Sequence, residues 1–374
     1  MVEWKKLGDV CKVLRGKRLT KSQLNESEGY PVLHGGSTPM GYYEEFNRKA
    51  NTTVVVNTGN AGSVFFYDKE FWSSDACFSL YPNKEINDKF LYLYVYGCER
   101  ILKGKIRAGA MPTIDAKAVE DLLIPIPSLS EQQRIVSILD TFTSSISNLK
   151  QQIEERRKQY EYERNLLLDL EGKEGVEMKK LGEVFDTRNG YTPSTKNPDF
   201  WEEGTIPWFK MEDIRDNGRV LGDSNLHITP KAIKGKGLFK ANSIILATSA
   251  TIGEHALITV EHLSNQRFTN FYPKKKFEGL INMKFVYYYM YLIDEWCKQH
   301  INQGGFASVD MNGLFSMDFP LLSLQAQSRI VSILDTFEQS ISNLEEQLAM
   351  REKQYEYYRN QLLTFEGEEE RGKT

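Results

Sequence analysis

Apolar residues recur along two stretches of the chain in alternating steps of four and three. The first runs Ile135, Leu139, Phe142, Ile146, Leu149, Ile153, Arg156, Tyr160, Glu163, Leu167, Leu170, and the second Ile330, Leu334, Phe337, Ile341, Leu344, Leu348, Arg351, Tyr355, Tyr358, Leu362, Phe365. A mean step of about 3.5 residues is the period of a coiled-coil seam. It predicts two helices of about 40 residues, each about 60 Å long. Neither is apolar all round, so each needs a covering partner, and the other copy is its nearest equal. Coiled coils with other chains are the competing arrangement. Arg156 and Arg351 hold the same seam position in the two copies, and the pattern names no partner for either cation.

The repetition reaches beyond the helices. Lys5-Lys6-Leu7-Gly8 returns as Lys179-Lys180-Leu181-Gly182 at an offset of 174, and Gly16 returns as Gly190. The apolar segment at 54–62 lines up with 245–253, and Tyr81-Pro82 with Tyr272-Pro273, at an offset of 191. From about residue 90 the offset is 195 and holds to the end of the helix. The second copy is therefore 17 residues longer before its apolar segment and 4 longer after it. Length changes fall inside the globular parts, while the helices stay in register.

Short apolar runs at 54–56, 64–67 and 78–81, repeated at 244–246, 256–260 and 269–272, are separated by Gly, Asn and Ser and predict strands. A Tyr- and Leu-rich helix follows each set, at 88–103 and 283–300. Its tyrosines (Tyr92, Tyr94, Tyr96 and Tyr287, Tyr288, Tyr289, Tyr291) are expected in the core rather than as a stacking platform. Pro125, Pro127 and Pro320 are expected at the start of each long helix, where a missing N–H is tolerated. The division is 1–127, a first globular domain; 128–172, the first helix; 173–319, a second globular domain; 320–367, the second helix; and 368–374, an acidic tail. Gly172 and Gly175 mark the linker out of the first helix.

Composition bounds the rest. Of 374 residues, 40% are hydrophobic and 12% aromatic, ordinary for globular cores. No apolar run approaches the roughly 18 residues of a membrane span, and the N-terminal residues lack a signal-like apolar stretch, so a soluble cytoplasmic protein is expected. The net charge of −4 looks wrong for a nucleic-acid binder. Its distribution changes that picture: 128–171 carries six Lys/Arg against eight Asp/Glu, and 323–374 six against ten. The remaining 35 Lys/Arg and 33 Asp/Glu leave the globular parts near neutral, which permits a local basic face without requiring one.

Catalytic signatures are missing. Cys11, Cys77, Cys98 and Cys297 stand far apart and are expected as reduced core thiols. His34, His227, His255, His262 and His300 show no metal-ligand spacing. There is no phosphate-cradling G-x-x-x-x-G-K-[ST], no nucleophile elbow, and no amino-methyltransferase motif. Gly235-Lys236-Gly237 is the nearest approach to a dinucleotide fingerprint, and Leu238-Phe239-Lys240 breaks it.

Two sets of residues carry a family resemblance. One is Ala110-Met111-Pro112-Thr113-Ile114-Asp115, followed by Ile124-Pro125-Ile126-Pro127-Ser128-Leu129-Ser130-Glu131-Gln132-Gln133-Arg134. The other is Gly190-Tyr191-Thr192-Pro193-Ser194, with Ile206-Pro207-Trp208-Phe209-Lys210 and Asp213-Ile214. With the order globular–helix–globular–helix, the chain resembles the specificity subunits of type I restriction-modification systems. The start of the second helix departs from the pattern: Phe319-Pro320-Leu321-Leu322-Ser323-Leu324-Gln325-Ala326-Gln327 lacks the second proline and the glutamate. Weaker capping contacts are expected there.

The resemblance implies an α+β protein: two mixed α/β target-recognition domains joined by two long helices that pair as an antiparallel coiled coil, with pseudo-two-fold symmetry. It also implies a non-catalytic reader of double-stranded DNA, one domain per half-site of a bipartite asymmetric sequence. The helices would set the gap, about one DNA turn or 34–36 Å, and dock methyltransferase subunits and, through them, restriction/translocase subunits. S-adenosylmethionine, ATP and Mg would belong to those partners, with no cofactor or metal in this chain.

Phosphate contacts call for Lys and Arg, and base contacts for Arg, Lys, Asn, Gln, Ser and Thr on loops. The first-domain candidates are Arg15, Lys17, Arg18, His34, Ser37, Thr38, Asn57, Asn60, Lys103, Lys105 and Arg107. In the second domain they are Arg188, Tyr191, Thr192, Ser194, Lys196, Lys210, Arg215, Thr248, Thr251, Asn265, Gln266, Arg267, Lys274, Lys275 and Lys276. The rival readings are a coiled-coil protein–protein adaptor, a specificity subunit serving a methyltransferase alone, and a free-standing nuclease or methyltransferase.

Overall fold

The computed structural model describes residues 2–36, 38–107, 109–302 and 307–365. Ser37 and the acidic tail at 368–374 therefore lie outside the described residues. The chain divides into two compact units, Met1–Gln151 with Glu345–Thr374, and Gln152–Leu344. The division cuts both long helices near their middles, so each unit is a globular domain with half of each helix.

In the first unit an antiparallel sheet orders its strands Cys11–Arg15, Cys77–Pro82, Thr52–Val56 and Val64–Tyr67. Thr52–Val56 is buried at every position, as a short continuous apolar run between covered faces should be. A smaller sheet sets Tyr30–Leu33 between Tyr42–Tyr43 and Trp72–Ser73. The second unit repeats both: Phe185–Asn189, Phe268–Pro273, Ser243–Ala247 and His255–Ile258, extended by Val220–Leu221, and Ile206–Phe209 between His227–Ile228 and Leu263–Ser264.

The Tyr-rich helix is Met283–Gln299 in the second unit, with Tyr287, Tyr288 and Tyr289 buried. In the first unit the expected helix at 88–103 is broken into Asp88–Gly97 and Glu99–Gly104. Gly97 stands where the second copy has Leu292, and glycine weakens a helix interior. Tyr94 is buried, but Tyr96 reaches solvent.

The prolines are not in the helices. Pro125 pairs with Trp4, and Pro320 with Met178, inside two-stranded ribbons formed by Glu3–Lys6 with Leu123–Ile126 and Glu177–Lys180 with Asp318–Leu321. Both strands of a ribbon are edges, where a missing N–H can face away from the ladder. The long helices begin after them and run Leu129–Leu168 and Leu324–Leu363.

Weaker capping at the second helix is not observed. Gln132 Nε2 donates to Glu85 O (2.8 Å) and Pro127 O (2.9 Å), and its Oε1 accepts from Asn87 N–H (2.8 Å). Gln327 makes the same three bonds, to Leu280 O (2.9 Å), Leu322 O (2.8 Å) and Asn282 N–H (2.7 Å). Ser128 and Ser323 accept from Glu131 and Ala326 N–H in equivalent fashion. The buried glutamine carries the contact, so loss of the glutamate and second proline is tolerated.

Within the first unit the helices run antiparallel: Phe142 stacks on Tyr358 at 5.2 Å, and further along Lys150 pairs with Glu352 at 2.9 Å. In the second unit Tyr160 meets Phe337 and donates to Glu338 at 3.1 Å. Ile135, Leu139, Ile153, Tyr160, Ile330 and Leu334 are buried. Phe142, Ile146, Leu149, Leu167, Phe337, Ile341, Leu344, Leu348, Tyr355 and Leu362 are half-buried, since two helices cover only one stripe of each other. No helix of the described residues is long and apolar enough to cross a membrane.

Candidate nucleic-acid interface

In the first unit five loops distant in sequence meet beside one end of the main sheet. Lys17 N–H donates to Ser73 O (2.9 Å), Asn57 N–H to Ala76 O (2.9 Å), and Ile114 N–H to Asn57 O (2.9 Å). Thr58 and Arg107 each bridge to Thr113. His34 Nδ1 lies 2.9 Å from Ser74 Oγ, and Arg15 Nε donates to Asp75 O at 2.9 Å. The turn into this cluster requires Gly16, because a Cβ there would lie 2.2 Å from Ser73 O and Ser74 O.

The second unit repeats the backbone bonds of this frame. Tyr191 N–H donates to Ser264 O (2.8 Å), Thr248 N–H to Arg267 O (3.0 Å), and Val309 N–H to Thr248 O (2.9 Å), while Ser249 bridges to Ser308. Gly190 meets Ser264 O and Asn265 O at the same 2.2 Å. Backbone geometry is shared, and the side chains projected from it differ.

The structure sorts the candidates. Arg15, Lys17, Arg18, His34, Thr38, Asn60 and Arg107 are exposed on or beside the first cluster. Lys103 and Lys105 close the neighbouring helix, where Lys103 pairs with Glu99 at 2.7 Å. Arg107 pairs with Asp115. Asn57 is buried and braces the frame through Asp75 O (3.1 Å). Thr248, its counterpart, is buried against Thr269 Oγ1 at 2.9 Å.

In the second unit Thr192, Ser194, Lys196, Gln266 and Arg267 are exposed on the clustered loops, and Thr192 bonds Gln266. Thr251, Lys210 and Asn265 are half-buried there, and Arg215 is exposed on the helix Met211–Asn217. Arg188 and Tyr191 are turned inward. Arg188 lies 4.0 Å over the Phe239 ring and donates to Gly237 O at 2.8 Å, while Tyr191 Oη donates to Ala232 O at 3.1 Å.

Lys274, Lys275 and Lys276 are not part of the cluster. They follow Pro273, at the far end of the strand Phe268–Pro273 from Arg267. Lys274 Nζ is committed to Gly182 O at 2.5 Å.

One arrangement resembles catalytic machinery. His255 Nδ1 lies 2.7 Å from Asp294 Oδ2, which also pairs with Arg219 at 3.2 Å. The His255 and Asp294 side chains are only 0% and 4% exposed, so no substrate reaches them. The pair ties the sheet to the Tyr-rich helix. Among the described residues no three His, Cys, Asp or Glu gather as metal ligands, and all four cysteines are free and buried.

The family model for the type I restriction modification DNA specificity domain matches residues 1–156 and again 173–350. The type I restriction enzyme EcoprrI specificity subunit of Escherichia coli is 48% identical over 209 residues, 53% of this chain and 52% of that one. The EcoR124I/EcoR124II specificity subunit of the same organism is 32% identical over 391 residues, 97% of this chain and 94% of that one. The crystal structure of the type I restriction-modification S subunit from M. genitalium shares the fold, with a TM-score of 0.62 at 18% identity over 97% of each chain.

Proposed function

The chain belongs to the type I restriction modification DNA specificity family, and from that premise we propose that its two domains read the two halves of one bipartite, asymmetric DNA site. The observation that carries this is the duplicated loop frame. Asn57 and Thr248 sit in the same backbone bonds, yet the surfaces around them differ: Arg15, Lys17 and Arg107 on one, Thr192, Gln266 and Arg267 on the other. A symmetric frame with unlike side chains suits a split site whose halves differ in sequence.

In this reading the chain supplies recognition and no catalysis. The paired helices hold the readers at a set separation and dock methyltransferase subunits, through which restriction/translocase subunits join. S-adenosylmethionine, ATP and Mg act in those partners, and the complex works in the cytoplasm. The five-part division of the chain becomes reader, spacer, reader, spacer and tail.

The test is binding of duplex DNA by the chain assembled with its methyltransferase subunits. Steeply salt-dependent, site-specific binding is expected, because phosphate contacts release counterions. A protein–protein adaptor would show none. Incubating the chain alone with DNA and S-adenosylmethionine should leave the DNA unmodified and uncut; modification or cleavage would contradict the non-catalytic role.

A further inference from the structure

We propose that the loop Lys234-Gly235-Lys236-Gly237 is a phosphate clamp on the DNA of the second half-site, a contact that the first domain lacks. The inference rests on the DNA-reading role of the second domain and adds a specific element to it. Eight residues join Tyr42–Tyr43 to Thr52–Val56 in the first unit, whereas fourteen join the equivalent strands His227–Ile228 and Ser243–Ala247. The loop lies in that extra length.

It is held from outside by two residues of the recognition frame. Lys234 N–H donates to Tyr191 Oη at 2.8 Å, and Gly237 O accepts from Arg188 Nη2 at 2.8 Å. Tyr191 and Arg188 flank Gly190, which seats the recognition loop against Ser264 and Asn265. The loop is thereby fastened to the chain on both sides of Gly190. Arg188 and Tyr191 are positioning residues, spending their polar groups on the loop rather than on DNA.

What the loop presents is cationic and open. Lys234, Gly235 and Lys236 are exposed. Gly235 and Gly237 take φ of 59° and 77°, and an added Cβ at either would meet nothing within 4 Å. The flanking cations are already neutralised, Lys231 by Asp199 at 3.2 Å and Lys240 by Glu278 at 2.6 Å. Lys234 and Lys236 have no acidic partner among the described residues. Two like charges held on a fastened, side-chain-poor turn suit an anion that arrives from outside, with open backbone N–H groups beside them. DNA phosphates supply that charge, and such contacts add affinity without reading sequence.

The experiment compares the wild-type complex, with its methyltransferase subunits, and one carrying Lys234→Gln with Lys236→Gln. Binding is measured from about 0.05 to about 0.2 M salt on a duplex bearing the site mapped by methylation sequencing. Loss of two phosphate contacts should flatten the log–log salt slope by about 1.8, so that the wild type gains about twelvefold more affinity than the variant at the low-salt end. The methylated sequence should stay the same. Lys231→Gln with Lys240→Gln should leave the slope unaltered. An unchanged slope in the first variant overturns the clamp, even if that variant loses its methyltransferase subunits on gel filtration. An equal loss from the control pair overturns it too. No site-specific binding by the wild type would instead remove the DNA-reading role itself.

Discussion

The guanidinium of Arg351 lies 5.6 Å from the centroid of the Phe142 ring. The same two positions of the repeat meet with roles exchanged where Arg156 lies 5.8 Å from Phe337. Each arginine also donates to a glutamine three residues on, Gln354 and Gln159, at 3.1 Å. A cation in an apolar seam is costly when unpaired. Here each is half-buried, with its guanidinium over an aromatic ring and bonded to a glutamine. The charged interruptions thus mark where the two copies recognise each other, in a geometry lysine would not reproduce.

The first prediction concerns that contact. In a double-mutant cycle, Phe142→Leu and Arg351→Met should show a coupling of about 0.5–1 kcal/mol in the urea unfolding of the full chain. Additive effects would show that the ring and the guanidinium do not interact.

The buried glutamines give a second. Gln132→Ala removes three bonds and strands backbone groups of Glu85, Asn87 and Pro127, which should cost about 2–4 kcal/mol. Amide exchange should accelerate at Asn87 and leave Asn282 unaffected, and Gln327→Ala should do the reverse. Equal acceleration at both amides would mean that the capping contact is not local.

His262 sets a pH dependence. Burial drives its pKa down to about 4, and the nearby Arg188 charge works in the same direction, against the bond to Val260 O. Nδ1 donates to that carbonyl at 2.9 Å, so Nε2 accepts from Asn270 at 3.0 Å and the ring is neutral. The folded pKa lies below the unfolded value of about 6.5. Above that value the residue makes no pH-dependent contribution. Between about 6.5 and 4 only the unfolded chain takes up the proton, and stability falls by about 3 kcal/mol in total. His262→Gln should flatten the slope of stability against pH in that window. A mutant slope equal to the wild type would assign the titration elsewhere.

The helices as a spacer give a fourth. Deleting one heptad from each should shorten the gap between methylated half-sites and leave both half-sequences as they were. An unaltered gap would rule the helices out as the ruler.

The heptads, the offsets and the twin strands were legible in the sequence because they depend on local periodicity and duplication. Which loops converge was not. Asn57 meets Ile114, Lys17 meets Ser73, and Arg188 meets Gly237, and side-chain chemistry alone does not encode pairings across such separations. For the same reason Lys274, Lys275 and Lys276, attractive as a charge run, fall at the far end of their strand. Arg188 and Tyr191, attractive as contacts, point inward. Lys234 and Lys236 had a visible signal, two cations alternating with glycines, but it had meaning only once Tyr191 and Arg188 were seen to fasten the loop. Pro125 and Pro320 misled because the ribbons that hold them pair segments more than a hundred residues apart, Glu3–Lys6 with Leu123–Ile126 and Glu177–Lys180 with Asp318–Leu321, while Pro127 does stand just ahead of its helix.

The central claim is that two separable readers share one scaffold. It is tested most directly by replacing residues 181–319 with the corresponding segment of another specificity subunit and mapping methylation across the genome of a host carrying the methyltransferase subunits. One half-site should change to the donor's sequence while the other half-site is retained. Alteration of both halves would contradict it.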